Sequence, residues 1–196
     1  MAQGPRLTKP LNLEPGAPSL EHEAVMIYTI GHSTRPLDDF IALLGAHRVT
    51  QVVDIRSIPR SRRHPHFSSG ALSASLREAA MVYRHSTALG GMRKPRRDSP
   101  NTAWRVEGFR GYADYMETEA FRTGLDELIA VAGEAQTAIM CAEAVWWRCH
   151  RQLVADAIVA RGIEACHITS TSVAAAHRLT EFAQVRDGLV TYRGLI

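Results

Sequence analysis

Five short apolar runs, Val25–Ile30, Val49–Ile55, Val82–His85, Thr137–Cys141 and Ile163–Ile168, punctuate the chain at intervals filled by segments with helical apolar spacing. Leu37, Phe40, Ile41, Leu43 and Leu44 follow Pro36, a residue suited to a first helical turn. Ala71–Ala80 reads as a short helix, and Tyr112, Tyr115, Met116, Phe121, Leu125, Leu128 and Ile129 mark one long or broken helix. A last helix carries Leu153, Val154, Ala157 and Ile158 and stops at Gly162, a normal C-terminal glycine. Strands alternating with helices define an α/β chain, whose mostly parallel sheet of about five strands is covered by helices on both faces. For the tail, the pattern predicts a helix over Val173–Phe182 and a hairpin over Val185–Tyr192, turning at Asp187-Gly188.

The length, 196 residues, fits one domain at roughly 150 residues per domain, spanning 25–196. Residues 1–24 hold Pro5, Pro10, Pro15 and Pro18 without an apolar period, and read as an extended arm through which copies of the chain can associate. No apolar run reaches the ~20 residues that span a bilayer, so no membrane partner is expected. No basic segment followed by an apolar core opens the chain, and its three cysteines read as reduced thiols; both point to the cytoplasm.

The net charge of +3 matters less than its distribution. Arg56, Arg60, Arg62, Arg63, His64 and His66 form one basic cluster, Arg93, Lys94, Arg96 and Arg97 a second, and Arg148, His150 and Arg151 a third. Such local fields attract phosphates or nucleic acid, and solvated loops produce them too.

Ligands of open α/β sheets bind beyond the carboxyl ends of the strands. His32, Ser33, Asp54, Arg56, Cys141, Glu143 and His167 all fall at or just past strand ends, and so converge on one rim. Cys141 precedes a loop feeding a helix that begins near Trp147 or Arg148, where a thiol meets backbone N–H groups that favour its anion. The seven-residue step from Cys141 to Arg148 is one longer than a phosphatase loop and carries the anion-repelling Glu143. A rhodanese-like sulfur carrier places a cysteine similarly. Glu143 serves as a general base or pairs with Arg148 or Arg151.

Cys141, Glu143, Cys149 and His150 are zinc-ligand types, but their spacing matches no standard zinc pattern, and neighbouring residues on a helix point apart, so no metal is assigned. Gly31 stands alone where a dinucleotide site needs three glycines, so no nicotinamide or flavin cofactor is assigned either. Trp104, Phe109, Tyr112, Trp146 and Trp147 beside the basic segments suit base stacking, or equally the packing of a loop onto the sheet.

The stretches TIGHSTRPLDDF, VVDIRSIPRSRRHPHF, ALGG, FRGYADYM and MCAEAVWWRCHRQLVADAIVARG, running from Tyr28 to about His167, resemble the successive motifs of the domain of unknown function DUF488 family. The resemblance implies a Rossmann-like three-layer α/β fold of bacteria and archaea, with nucleic-acid-related roles. Its motif positions fall on Gly31, His32, Ser33, Asp54, Arg56, Pro59, Arg60, Gly90, Gly91, Arg110, Tyr112, Cys141, Glu143, Cys149, His150 and Arg151.

Together these readings lead to an enzyme acting on a nucleotide, nucleobase or nucleic acid. Cys141, Glu143 and His32 carry the chemistry in this reading. Ser33, Asp54, Arg56, Arg60, Arg110, Tyr112, Trp147, Arg148, His150 and Arg151 hold substrate or phosphate. The alternatives are a non-catalytic module that binds nucleic acid or a phosphorylated ligand, and a thiol-dependent sulfur-transfer or redox protein.

Overall fold

A computed structural model describes residues 25–194. The N-terminal arm therefore lies outside the described residues. The apolar runs become strands β1 (Met26–Gly31), β2 (Gln51–Asp54), β3 (Val82–His85), β4 (Thr137–Cys141) and β5 (Glu164–Ile168). Helices α1 (Leu37–Ala46), α2 (Ser69–Glu78), α3 (Glu107–Met116), α4 (Glu119–Glu134) and α5 (Arg151–Ala160) separate them. The break between α3 and α4 falls at Glu117-Thr118, where the Thr118 side chain accepts from the Phe121 N–H and caps the new helix. α5 ends before Gly162, whose φ of +78° lies in the left-handed region that favours glycine.

These five strands are parallel and stand in the order β3-β2-β4-β1-β5, with a sixth, antiparallel strand β6 (Ala174–Ala176) on the β5 edge. The result is a mostly parallel sheet in a Rossmann-like, three-layer α/β arrangement. Alternate side chains feed two cores. Ile30, Val52, Ala138 and Met140 pack with Phe40, Leu44, Leu72 and Leu76 of α1 and α2. On the opposite face Ile27, Val53, Ile139 and Ala165 pack with Tyr112, Leu125, Leu128, Leu153 and Val154 of α3, α4 and α5. Among the described residues, no helix is long and apolar enough to cross a membrane.

The helix predicted over Val173–Phe182 does not form. Its first part is β6, which pairs with β5, and the rest is irregular chain tied to Asp156 on α5. The buried Asp156 carboxylate accepts from His177 Nε2, from the Thr180 N–H and hydroxyl, and from the Tyr192 hydroxyl, each at 2.7–2.8 Å. A free sheet edge and one buried charge thus outweigh a local helical preference. The terminal hairpin does form, as β7 (Gln184–Arg186) and β8 (Leu189–Thr191), turning through Asp187 and Gly188 at positive φ.

The strand order sets where a ligand can sit. The connections leaving β1 and β2 run toward the β3 edge, whereas the one leaving β4 crosses to β5 in the opposite direction. A crevice opens past the carboxyl ends of strands where such a reversal occurs.

Candidate functional site

The crevice is filled out into a cleft of about 490 Å³. Register brings the strand ends together: Gly31 lies opposite Cys141, and Asp54 opposite Met140. The loops continue the ladder for one more step, with His32 N–H bonding Cys141 O at 3.0 Å and Ser33 N–H bonding Ala142 O at 2.8 Å. A Cβ at position 31 would overlap the Glu143 carbonyl, so only glycine lets the two turns approach this closely.

Of the residues singled out in the sequence, His32, Arg56, Arg60, Gly91, Phe109, Cys141, Glu143, Arg148, Cys149 and His150 line this cleft. Ser57, Met92 and Val106 join them. Ser33, Asp54, Arg110, Tyr112, Trp147 and Arg151 stand outside it, and most of those have structural partners.

Asp54 and Arg56 form a buried ion pair, with Arg56 Nη2 and Asp54 Oδ2 2.5 Å apart. Arg56 also donates to the Phe67 carbonyl at 2.8 Å and to His32 Nε2 at 3.2 Å. Its donors are largely committed within the protein, and Asp54 accepts the Tyr83 hydroxyl as well. The pair anchors the basic loop. His32 is stacked on Phe67 at 4.1 Å and donates through Nδ1 to the Ser33 carbonyl at 2.9 Å. Burial lowers its pKa to about 4, so the ring is neutral at pH 7 and its remaining lone pair faces Arg56.

Arg151, only 1% exposed, donates to the Glu143 and Ala144 carbonyls and to Thr29 Oγ1, and so fastens the turn after β4 to β1. Tyr112 is core, its hydroxyl on the Leu89 carbonyl at 2.8 Å and its ring beneath His150. Arg110 donates to the Trp104 and Arg105 carbonyls. Trp104 packs among Phe109, Phe182 and Tyr192, the loop-packing role rather than an open stacking platform. Trp146 lies flat on His167, with centroids 3.9 Å apart and planes 6° apart. Trp147 is exposed.

What stays free is a smaller set. Arg60, Arg148 and Glu143 are exposed on the cleft wall and make no side-chain hydrogen bond among the described residues. Ile58, Met92, Val106 and Phe109 supply an apolar wall. At the floor lie Cys141 and Cys149, both nearly buried, with His150 Nδ1 at 3.9 Å and 3.6 Å from their sulfurs.

The segment after Glu143 differs from the sequence expectation. A short 3₁₀ turn spans Trp146–Arg148, and α5 begins only at Arg151. Cys149 between them is extended (φ −133°, ψ 148°). Cys149 and His150 are thus not consecutive residues of one helix, and both turn toward Cys141. The Cys141–Cys149 hydrogen bond and the His150 ring hold Cys149 well below the usual thiol range, against the opposing effect of burial, whereas the same bond and burial push Cys141 up. Cys149 and Phe109 were already legible in the sequence, Cys149 as a zinc-ligand type beside His150 and Phe109 as an aromatic residue beside a basic segment, whereas Met92 carried no signal.

A doubly wound α/β protein whose polar cleft sits at the reversal of strand order is the class that this geometry defines. The family model for the domain of unknown function DUF488 matches residues 36–158, and the chain belongs to that family. No curated protein and no solved structure matches the chain. The matched span covers α1 through most of α5, and so includes Arg60, Cys141, Glu143, Arg148, Cys149 and His150, while His32 and Ser33 lie before it.

Proposed function

We propose that the protein is an enzyme acting on a nucleotide, free or within a nucleic acid, in the cleft beyond β1, β2 and β4. One observation carries this reading. Two uncommitted guanidinium groups (Arg60 and Arg148), one uncommitted carboxylate (Glu143) and an apolar wall face the same space as a paired-thiol and imidazole floor. A cleft of about 490 Å³ lies within the range of roughly 300–1,000 Å³ typical of small-molecule sites, enough for a mononucleotide.

Arg60 and Arg148 hold phosphate through charge-assisted hydrogen bonds. Phe109 offers its ring face to a base. Glu143 moves a proton, because a pure phosphate cradle has no use for a carboxylate that repels the ligand. The cysteine and histidine floor supplies the electrophilic or nucleophilic group. The ion pair of Asp54 and Arg56, with His32 against it, keeps the basic loop in place.

Calorimetric titration with mono- and oligonucleotides at two salt concentrations, with products followed by chromatography, tests the reading. Salt-sensitive binding with turnover that Glu143→Gln abolishes supports it. Binding without turnover by any member of the panel makes the cleft a non-catalytic module. Full turnover by Glu143→Gln removes the acid–base assignment.

A further inference from the structure

We propose that Cys141, Cys149 and His150 bind one zinc ion, leaving its fourth coordination position open to the cleft. The proposal deepens the enzymatic reading in giving that ion a role, but the binding itself stands on independent geometry.

Three ligand atoms, two sulfurs and one imidazole nitrogen, lie within 4.8 Å of one another at the end of β4 and the start of α5. With Zn–S of about 2.3 Å and Zn–N of about 2.0–2.1 Å in a tetrahedron, sulfur and nitrogen stand ~3.6 Å apart along the edge. The observed edges are 3.6 Å from Cys149 and 3.9 Å from Cys141. An ion placed among them needs side-chain adjustments of only a few tenths of an ångström on those two edges.

The imidazole is oriented for this task. His150 Nε2 lies 3.0 Å from the Ile55 carbonyl, which can only accept, so Nε2 carries the proton. The Nδ1 lone pair is thereby directed at the sulfurs. A backbone carbonyl on the far nitrogen is one of the common outer partners of a metal-bound histidine.

Space is left for the ion and for what binds to it. A Cβ at position 91 would stand 2.8 Å from His150 Nδ1, so Gly91 keeps that edge of the ring open. Cys141, Cys149 and His150 all line the cleft, as does Glu143, two residues beyond Cys141. Three protein ligands with an open position are the pattern of a catalytic rather than a structural zinc. An ion held there would activate a water in the open position for hydrolysis, and Glu143 on the cleft wall would be the base placed to take the proton that the water gives up.

The test is metal binding by the full chain, reduced and stripped by a chelator, then titrated with zinc against a chromophoric competitor. One zinc per chain is expected. Cobalt(II) in its place should give a thiolate-to-cobalt charge-transfer band and the visible spectrum of a tetrahedral site. Cys149→Ser and His150→Ala should each weaken zinc by at least tenfold, while Cys166→Ser, whose sulfur lies on β5 away from the site, should bind as the parent does. Circular dichroism of each variant separates loss of ligand from loss of fold. If Cys149→Ser unfolds, the cobalt spectrum of the parent decides.

No stoichiometric zinc in the reduced parent, an octahedral cobalt spectrum, or equal affinity in folded Cys149→Ser each overturns the proposal. So does a Cys141–Cys149 disulfide whose reduced form binds no metal. Zinc binding without nucleotide turnover sinks the proposed function and leaves the site intact; turnover by the metal-free protein keeps the proposed function and removes only the ion's part in it.

Discussion

His150 donates from Nε2 to the carbonyl of Ile55 across 3.0 Å, tying the residue just before α5 to the residue just after β2. This contact between residues 95 positions apart fixes the imidazole tautomer, and with it the direction in which the ring offers a lone pair. The same ring rests on Tyr112 and stands against Gly91. Three remote segments therefore determine the chemistry of one side chain.

Gly91→Ala is expected to break the site without breaking the fold. Its Cβ would meet the His150 ring, a side chain able to move, rather than backbone. Zinc affinity should fall at least tenfold while the melting temperature changes little. Gly45→Ala, where the new methyl meets nothing within 4 Å, is the control.

The arginines should separate into two kinds. Arg60→Ala and Arg148→Ala should each weaken nucleotide binding and lower its salt dependence, with thermal stability near the parent's. Arg151→Ala should cost on the order of 3 kcal/mol of stability, because it leaves the Glu143 and Ala144 carbonyls without their donor. Thermal melts beside binding isotherms check both halves of this prediction. An unaltered melting temperature in Arg151→Ala would contradict the fastening role.

Asp156→Ala should be among the most damaging single changes. It removes the acceptor of His177, Thr180 and Tyr192 together, and several buried donors are left unsatisfied. A loss of about 3–4 kcal/mol is expected in denaturant titration, with the chain after β5 first to become protease-sensitive.

Stability should fall as the solution is acidified below neutrality. Burial, then His177 and Arg151, lowers the pKa of His167 to about 3, against 6.5 for the free side chain. Between those values the unfolded chain binds the proton and the folded chain does not, so unfolding becomes easier as pH drops from about 6.5 toward 3. The ring is faced by Thr29 of β1, His177 after β6, Arg151 of α5 and Trp146 stacked on it. In His167→Gln the dependence of unfolding free energy on pH should be shallower over that window, as measured by urea titration at several pH values.

The parallel sheet was legible in the sequence because buried strands write continuous apolar runs, and because crossover helices need an apolar face of period 3.6. For the same reason, the residues after β1, β2 and β4 fall on one rim by pattern alone. The 173–182 segment misled, since its fate rests on pairing with an edge strand and on the Asp156 carboxylate, neither of which is a local property. The roles within the rim were not legible either. Nothing in the spacing of Asp54, Arg56 and Arg151 separates them from Arg60 and Arg148, yet the first three are bound within the protein and the last two make no side-chain hydrogen bond among the described residues. Sequence alone determined the five parallel strands, the helices between them and which end of the sheet gathers the polar residues, because periodicity and strand ends are local. Only the tertiary structure decided that Cys149 is extended rather than helical, that His150 turns to Ile55, and that two thiols and an imidazole meet. Those outcomes depend on hydrogen bonds and packing between segments far apart in the chain, where local pattern carries no information.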